Sequence, residues 1–372
     1  MKIALVANTS WYLWNFRRSL IDALQKHGVE VLTIAPDDEY SEKLRSIGTE
    51  FIGVRLGRKT LNPAGDLGFL SQLLKIYRNI GPDIVFHNTP KPVIYGSVAA
   101  RCAGIPRIVN MIPGLGFVFS GDGLARRFLR PLVKQMYKLS LAHSHVVLFQ
   151  NPDDKAYFEE HGIVDPAKAQ VTFGSGVDLD YFSPRDPRPD PSGCTFLLLG
   201  RMLWDKGIGE FVDAASAIKT VHPDARFQLL GIIDRGNPSH IEPQKLNEWH
   251  AKGIVEYLGE TDDVRPMIGD ADVVVLPSYY REGIPRSLLE AMAMRKPIIT
   301  TDMPGCRLTV VESSNGFLVP PRDTTALKNA MLFLIEHPEE RVRMGAESRK
   351  LAEERFDVKR VNGEVLRAMG IL

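Results

Sequence analysis

The chain has 372 residues, of which 44% are hydrophobic and 24% charged, a composition typical of globular and not of disordered proteins. It is too long for one ordinary core, so two domains are expected. A formal net charge of +1 provides no strong field that would attract nucleic acid. The three cysteines are odd in number and scattered, which indicates a reducing compartment and neither a zinc site nor a disulfide framework.

The first residues, MKIALVANTS, predict a buried strand. They contain one lysine and, between Lys2 and Asn8, only five apolar residues, which is too short for the apolar region of a signal peptide. No run of about 18 apolar residues, the length that a membrane-spanning helix needs, occurs in the chain. We therefore expect a soluble cytoplasmic protein.

Short β-rich runs alternate with amphipathic segments along the chain. The strands predicted in the first half are KIALVA, VEVLTIA, TEFIGV, DIVFH, RIVNM and HVVLF, and the helices are 14–27, 66–79, 91–103, 130–142 and 152–161. The strands predicted in the second half are CTFLLLG, ARFQLLG, IVEYLG, ADVVVLP, PIITT and GFLVP, and the helices are 207–221, 242–252, 263–269, 285–295 and 323–336. Two more helices, 338–355 and 357–369, follow.

This alternation predicts an α/β protein with two Rossmann-like domains, each a parallel sheet with helices on both faces. The first domain is expected over residues 1–182, with a C-terminal helix, about 357–372, packed back on it. The second is expected over 194–356, after a proline-rich linker at 183–193. Ligands of such sheets bind at the carboxyl ends of the strands, so we expect two facing domains with a ligand cleft between them.

The first motif that indicates chemistry is LLLGRMLWDKG, residues 197–207. Arg201 and Lys206 follow the carboxyl end of a predicted strand, on either side of the turn into a helix. Two cations beside a helix N-terminus suit a diphosphate. On this motif alone, ordinary surface charge stays open as the alternative.

The second motif is REGIPRSLLE, residues 281–290, directly after an apolar strand. Pro285 fits the first turn of a helix, which leaves Glu282 in the loop beside backbone amides that can cradle phosphate oxygens. Gly283 lets a ligand approach the backbone closely. Glu290, about 7–8 Å farther along the helix, can accept hydrogen bonds from a vicinal diol such as a ribose. The spacing E-x7-E alone is common by chance, but here it follows an apolar strand and the earlier GR…KG turn.

These motifs resemble a known family. GRMLWDKG, LPSYYREGIPRSLLEAMAMRKPIITTD, PGC and NGFLVPPRD resemble the donor-binding domain of family 4 glycosyltransferases, which have the GT-B fold. PDIVFHNTPKP and GSGVDLDYFSP are similar to the N-terminal half of the same family. Within it, WYLWNFRRSL, TPK, PGLGF and GSGVD most resemble bacterial transferases of undecaprenyl-diphosphate sugars, in particular the undecaprenyl-diphosphate-bacillosamine α-1,3-N-acetylgalactosaminyltransferases.

The resemblance implies a retaining, metal-independent transferase that moves an N-acetylhexosamine, N-acetylgalactosamine favoured, from a UDP-sugar to an undecaprenyl-diphosphate-linked sugar in polysaccharide or protein-glycosylation precursors. It assigns Arg201 and Lys206 to the donor diphosphate, Glu282 to the transferred sugar and Glu290 to the ribose. The other donor-binding positions are Gly283, Ile284, Pro285, Arg286 and Ser287. No cofactor or metal is expected, because two cations and a helix N-terminus supply a metal's electrostatic effect.

The N-terminal half departs from the family at two places. Where many members carry H-x-H, this chain has Phe86, His87 and Asn88, so a proton acceptor at Asn88 is in doubt, although its amide could bind the transferred sugar or the acceptor. His87 is expected to face the opposite side of the strand and to be structural. A glycine pair in the first loop is replaced by NTSWYLWNF, which makes Asn15 and Arg17 acceptor candidates.

Basic residues dominate the stretch from Ile84 to Pro152, where Asp122 is the only carboxylate. Arg130, Lys134 and Lys138 recur every four residues and form a cationic stripe on a helix that Pro131 is expected to start. The stripe is either a solvated face or a contact for anionic lipid headgroups or an acceptor diphosphate. Acceptor or membrane candidates are therefore Lys91, Arg130, Lys134 and Lys138, and we expect peripheral association with the inner face of the plasma membrane.

Two other functions stay open. One is a nucleotide-sugar epimerase or hydrolase of the same fold, which would consume the donor without an acceptor. The other is a non-catalytic scaffold that binds nucleotide or membrane. The intact arginine, lysine and paired glutamates argue against the scaffold.

Overall fold

The computed structural model describes residues 1–57, 63–116, 119, 124–184 and 193–372, with the backbone alone for residues 124–127. The chain divides into an N-terminal unit, Met1–Ser175 with Val358–Leu372, and a C-terminal unit, Gly176–Asp357. Residues 176–182 therefore lie in the C-terminal unit, whereas the sequence predicted them in the first domain. Most of the predicted linker, residues 185–192, lies outside the described residues.

The N-terminal unit is built on one parallel sheet. Its strands are β1 Lys2–Val6, β2 Glu30–Ala35, β3 Glu50–Gly53, β4 Ile84–Asn88, β5 Arg107–Ile112, β6 Val146–Phe149 and β7 Ala169–Val171. Its helices are α1 Ser10–Lys26, α2 Ser41–Ser46, α3 Pro63–Ile80, α4 Ser97–Ala103, α5 Leu124–Leu141 and α6 Pro152–Glu160. The strand order is β3-β2-β1-β4-β5-β6-β7, so β1 and β4 are neighbours at the centre.

Both faces of this sheet are covered by helices, as the apolar runs of its strands require. In β1, Ile3 and Leu5 pack into one hydrophobic cluster, while Ala4 and Val6 pack into another on the opposite face. Successive side chains of a strand point to opposite faces, so a strand that is buried on both sides favours apolar residues at consecutive positions. This explains the apolar run from Ile3 to Ala7, which is buried throughout.

The C-terminal unit repeats the design with a second parallel sheet, in the order β10-β9-β8-β11-β12-β13. Its strands are β8 Thr195–Leu199, β9 Arg226–Leu230, β10 Glu256–Tyr257, β11 Val273–Leu276, β12 Ile298–Thr301 and β13 Gly316–Val319. Its helices are α7 Ile208–Lys219, α8 Pro243–Ala251, α9 Arg265–Asp270, α10 Arg286–Ala293, α11 Thr324–Glu336 and α12 Pro338–Leu351. The two sheets confirm the predicted α/β class.

The last helix, α13 Val358–Met369, belongs to the N-terminal unit although the whole C-terminal unit precedes it in the chain. Val365, Leu366 and Met369 are buried in the cluster that also contains Ile3 and Leu5 of β1. The Arg107 guanidinium at the start of β5 donates a hydrogen bond from Nη2 to the backbone oxygen of Ala368 at 2.9 Å. This helix therefore completes one face of the first core.

Several elements differ from the sequence prediction. The short elements α2 and β7 were not predicted, and β10 covers two residues where IVEYLG indicated six. Pro131 does not start its helix, because α5 begins at Leu124 and contains the proline. Proline removes one backbone hydrogen bond from a helix interior, and Pro131 lies on the exposed side of α5. In the part of the chain that the structure describes, no helix is long and apolar enough to cross a bilayer.

We predict that Leu366→Ala destabilises the N-terminal unit by about 2–5 kcal/mol, because it leaves a cavity where a side chain that is 2% exposed now packs. The measurement is urea unfolding, monitored through hydrogen exchange of the β1 amides because these amides report on the N-terminal unit alone. The matched control is Leu372→Ala, whose side chain is 57% exposed and whose effect should stay within about 0.5 kcal/mol. Equal effects of both substitutions would contradict the packing of α13 described above.

Candidate active site

Arg201 lies just beyond the carboxyl end of β8, where the sequence predicted it. Its Nη1 donates a hydrogen bond to Oδ2 of Asp234 at 3.0 Å, and 39% of its side chain remains exposed. The strand ends approach closely here, because a Cβ on Gly231, at φ +144°, would lie 1.9 Å from the Gly200 carbonyl oxygen. A glycine at 231 therefore allows the loops after β8 and β9 to meet.

Lys206 ends a single 3-10 turn, Trp204–Lys206, that leads into α7. Its ammonium forms an ion pair with the carboxylate of Glu282, and the two side chains are only 12% and 13% exposed. The next residue, Gly207, has φ +76°, and a Cβ there would lie 2.1 Å from the Pro277 carbonyl oxygen. The structure thus joins the two sequence motifs through a direct charge pair.

Glu282 is also held by its own loop after β11. The Ser278 hydroxyl lies 3.0 Å from Oε1 of Glu282 and 3.1 Å from the backbone oxygen of Asp205. The amide of Tyr279 donates to the same Asp205 oxygen at 3.0 Å. These bonds fix the carboxylate between the loops that follow β8 and β11.

The turn from Gly283 to Ser287 leads from Glu282 into α10. Pro285 is the residue before the first helical position, Arg286, one position later than the sequence indicated. Among the described residues, the amides of Gly283, Ile284 and Ser287 donate to no acceptor. The amides of Leu288 and Leu289, in contrast, donate to the backbone oxygen of Pro285. Open amides at a helix N-terminus carry partial positive charge and attract anions.

Gly305 packs directly against the backbone of this turn. Gly305 has φ +80°, and a Cβ there would lie 1.3 Å from the Gly283 carbonyl oxygen. The neighbouring Cys306 is buried, and burial together with the Glu282 charge raises the pKa of its thiol to about 12. The thiol therefore stays neutral and is not a nucleophile.

Glu290 lies in α10, one helical turn after Arg286. Its Oε1 accepts a hydrogen bond from Nε of Arg286 at 2.8 Å, and its side chain is 12% exposed. Burial raises the pKa of Glu290, and the adjacent guanidinium opposes that rise. The carboxylate is held in one orientation with the capacity to accept further hydrogen bonds.

In the N-terminal unit, Asn88 and Arg17 are in contact, although sequence reasoning treated them separately. Asn88 is the last residue of β4 and is fully buried. Its Oδ1 accepts from Nε of Arg17 at 2.7 Å and its Nδ2 donates to the Phe86 oxygen at 3.2 Å. Asn15 is half-buried on α1 and donates to the Trp11 backbone oxygen at 3.0 Å.

His87 lies on the other face of the sheet, in a buried polar network. Its ring nitrogens lie 2.9 Å from the Tyr77 hydroxyl and 2.9 Å from Oδ1 of Asn110. Burial lowers the pKa of His87 to about 4, so the ring is neutral near pH 7. This geometry fits the structural role expected from its position.

The predicted basic candidates divide into two groups. Lys91 is committed to an internal ion pair, with its Nζ 2.6 Å from Oδ1 of Asp66 and 2.7 Å from the Gly57 oxygen. Arg130, Lys134 and Lys138 lie on α5. Of these, Lys138 is exposed, whereas Arg130 and Lys134 are half-buried. Lys91 and the α5 stripe therefore belong to different segments of the N-terminal unit.

Sequence reasoning missed two residues, Asp234 and Ser278, that hold the predicted site residues in place. Their one signal in the sequence is that each stands within a few residues of the end of a predicted strand. Within the described ranges, no group of three histidine, cysteine or acidic side chains could hold a metal ion. The site therefore combines two cations, open amides and two carboxylates at the carboxyl ends of β8 and β11, which fits an anion that also carries hydroxyl groups.

Comparisons with known proteins match both units of the chain. The family model described as Glycosyl transferases group 1 matches residues 193–337, and the one described as Glycosyl transferase 4-like matches residues 2–151. The chain is 30% identical, over 90% of both proteins, to the N,N'-diacetylbacillosaminyl-diphospho-undecaprenol alpha-1,3-N-acetylgalactosaminyltransferase of Campylobacter jejuni. It is 27% identical to the UDP-Gal:alpha-D-GlcNAc-diphosphoundecaprenol alpha-1,3-galactosyltransferase of Escherichia coli, over 72% of this chain and 70% of that protein.

A solved structure shows the same fold. The structure of Anabaena Alr3699/HepE in complex with UDP superimposes with a TM-score of 0.79 over 100% of both chains, at 18% sequence identity. This structure shows the fold, and the 30% identity to the Campylobacter jejuni protein over 90% of both chains shows the family. The chain belongs to the family 4, or group 1, glycosyltransferases and has their GT-B fold.

Proposed function

We propose that this enzyme transfers an N-acetylhexosamine, with N-acetylgalactosamine favoured, from a UDP-sugar to a sugar linked to undecaprenyl diphosphate. Both relatives described above are named for undecaprenol-diphosphate acceptors, whereas only the Campylobacter jejuni protein is named for N-acetylgalactosamine. The lipid carrier of the acceptor therefore has broader support than the transferred sugar. The product would be a precursor of a cell-surface glycan or of protein glycosylation.

The observation that carries the proposal is the Lys206–Glu282 ion pair beside the open amides of the 283–287 turn. In the proposal, Lys206 and Arg201 bind the donor diphosphate, and the amides of Gly283, Ile284 and Ser287 bind sugar and phosphate oxygens. Glu282 accepts hydrogen bonds from the transferred sugar, and Glu290 accepts them from the ribose. Each of these side chains already has a fixed position, which lowers the entropy cost of binding.

The proposed reaction retains the anomeric configuration and uses no metal. The bond between the anomeric carbon and the phosphate oxygen breaks, and the acceptor hydroxyl bonds to that carbon on the same face. The departing phosphate oxygen takes the proton of the acceptor hydroxyl. Negative charge develops on the UDP as it leaves, and two cations with a helix N-terminus are placed to stabilise it.

The acceptor is assigned to the N-terminal unit, where the sequence predicted Asn88, Asn15 and Arg17 as candidates. The amide oxygen of Asn88 is engaged by Arg17, so any contact with a substrate would use a fixed orientation of this amide. Because Arg17 is buried and pairs with Asn88, we assign it the role of holding Asn88 and not of direct acceptor binding.

We also propose that helix α5 contacts an anionic membrane surface, at the inner face of the plasma membrane. Three large apolar side chains on α5 are exposed: Phe128 by 82%, Leu132 by 58% and Leu139 by 60%. The cations Arg130 and Lys138 lie on the same helix. Exposed apolar groups interleaved with cations favour the interface of an anionic bilayer.

We predict that Glu282→Ala and Lys206→Ala each lower turnover by about 100–1000-fold while the fold persists, because each removes a charge that acts on the reacting donor. The assay uses a panel of UDP-sugars with and without undecaprenyl-diphosphate-linked acceptors. The control is Lys252→Ala, which breaks an exposed ion pair with Glu248 in α8.

The same assay separates the alternatives. Turnover like that of the wild type in both variants would end the assignment. Full consumption of donor without a lipid-linked acceptor would indicate an epimerase or hydrolase. Nucleotide binding without any turnover would indicate a scaffold.

We predict that Gly305→Ala lowers turnover by about 100-fold, because its Cβ would collide with the Gly283 carbonyl and shift the turn that follows Glu282. The measurement is turnover beside a thermal unfolding curve. The matched control is Gly253→Ala, which has a similar φ of +67° but open space around the new Cβ. Backbone strain is therefore common to both variants. Equal losses of turnover in both would show that strain, and not the collision with Gly283, causes the effect.

We predict that Leu132→Ser weakens binding to phosphatidylglycerol vesicles by about tenfold, because it removes the burial of one large apolar side chain at the interface. Sedimentation with vesicles measures the change, and phosphatidylcholine vesicles test the contribution of lipid charge. Val342→Ser, at a side chain 77% exposed on α12, is the control. Unchanged binding of the Leu132 variant would remove α5 as the membrane contact.

A further inference from the structure

The segment 232–241, between β9 and α8, forms a loop in which the sequence predicted no functional residue. We call it the 232–241 loop. It runs beside the turn after β8, since Met202 donates its amide to the Ile232 oxygen at 2.9 Å and accepts from the Ile241 amide at 3.0 Å. The loop is therefore tied at both ends to the turn that carries Arg201 and Lys206.

Asp234 is the charged contact between this loop and that turn. Its carboxylate accepts from Nη1 of Arg201 at 3.0 Å, and its side chain is 12% exposed. The amide of Asn237 donates to the backbone oxygen of Asp234 at 2.8 Å, which restrains the loop around it. A carboxylate so far removed from water requires a partner, because its desolvation is otherwise costly.

Arg201 retains donors for a second ligand. A guanidinium has five N–H groups, and its hydrogen bond to Asp234 uses one of them. Nε and Nη2 of Arg201 have no hydrogen-bond acceptor among the residues that the structure describes. A guanidinium held at one nitrogen can offer the others to a phosphate in a fixed direction.

The same loop supports the turn that carries Lys206. The backbone oxygen of Ser239 accepts from the Trp204 amide at 2.8 Å, and its hydroxyl accepts from the Asp205 amide at 3.3 Å. Ser239 is itself held, because its amide donates to Oδ1 of Asn237 at 2.9 Å. One loop thus contacts both parts of the turn, the arginine side chain and the beginning of the 3-10 turn.

We infer that Asp234 is a positioning residue for the donor diphosphate: it orients Arg201, and the 232–241 loop holds Arg201 and Lys206 as one unit. The inference rests on the proposed function, since it takes Arg201 to bind that diphosphate. It assigns Asp234 an effect on diphosphate affinity without contact to the nucleotide.

The test compares UDP with UMP by calorimetric titration, because the ratio of their affinities isolates the second phosphate. We expect Asp234→Ala to lower the UDP-to-UMP affinity ratio by about tenfold, as for the loss of one charge-assisted hydrogen bond. Asp234→Asn keeps an oxygen that can accept from Arg201, so it should recover about half of that loss on a logarithmic scale. It also differs little in shape, which keeps the test valid if the alanine variant fails to fold.

The control is Glu256→Gln, which alters an ion pair with Arg226 at 3.0 Å at the opposite end of β9 and should leave the ratio unchanged. Arg201→Ala is measured in parallel. An unchanged ratio in both Asp234 variants, with a lowered ratio in Arg201→Ala, would overturn this inference and leave the donor site intact. A raised UDP affinity in Asp234→Ala would overturn it as well, by showing that the carboxylate competes with phosphate. No loss in Arg201→Ala would overturn the proposed donor site together with the inference.

Discussion

The ion pair between Lys206 and Glu282 is the interaction on which the site of the C-terminal unit depends. The two residues come from loops after β8 and β11, which are adjacent strands of the sheet. Because both side chains lie mostly out of water, each charge needs the other, and removal of one would leave an unpaired buried charge. The pair forms only where β8 and β11 lie side by side, so the site depends on the pairing of these two strands.

Glycines make that assembly possible at the level of the backbone. Gly207 allows the Lys206 turn to contact the loop after β11. Gly305 allows its own backbone to pack against the Gly283 carbonyl. Each has a positive φ and a carbonyl oxygen where a side chain would begin, so two separate requirements select glycine. In the proposed site the charged residues supply the chemistry, and these two glycines allow the loops that carry them to approach each other.

The sequence predicted the alternation of strands and helices and the placement of Arg201, Lys206 and Glu282 at strand ends, because both depend on local patterns. It did not predict the 232–241 loop contacts or the Arg17–Asn88 hydrogen bond, which join residues distant in the chain and depend on strand order. The short elements α2 and β7 were not predicted, because six and three residues are too few to show a clear hydrophobic periodicity. The helix around Pro131 was misjudged because an exposed proline is tolerated there.

Helix α13 gives the chain an order of synthesis that differs from its order in space. The N-terminal unit needs Val365, Leu366 and Met369 to cover one face of its first sheet, and these residues are translated only after the whole C-terminal unit. On the ribosome, the second sheet can therefore close while the first still exposes a patch of core. The part of the protein that is made first is therefore the last to be protected from aggregation. A chain that stops at residue 357 would keep this patch of core uncovered.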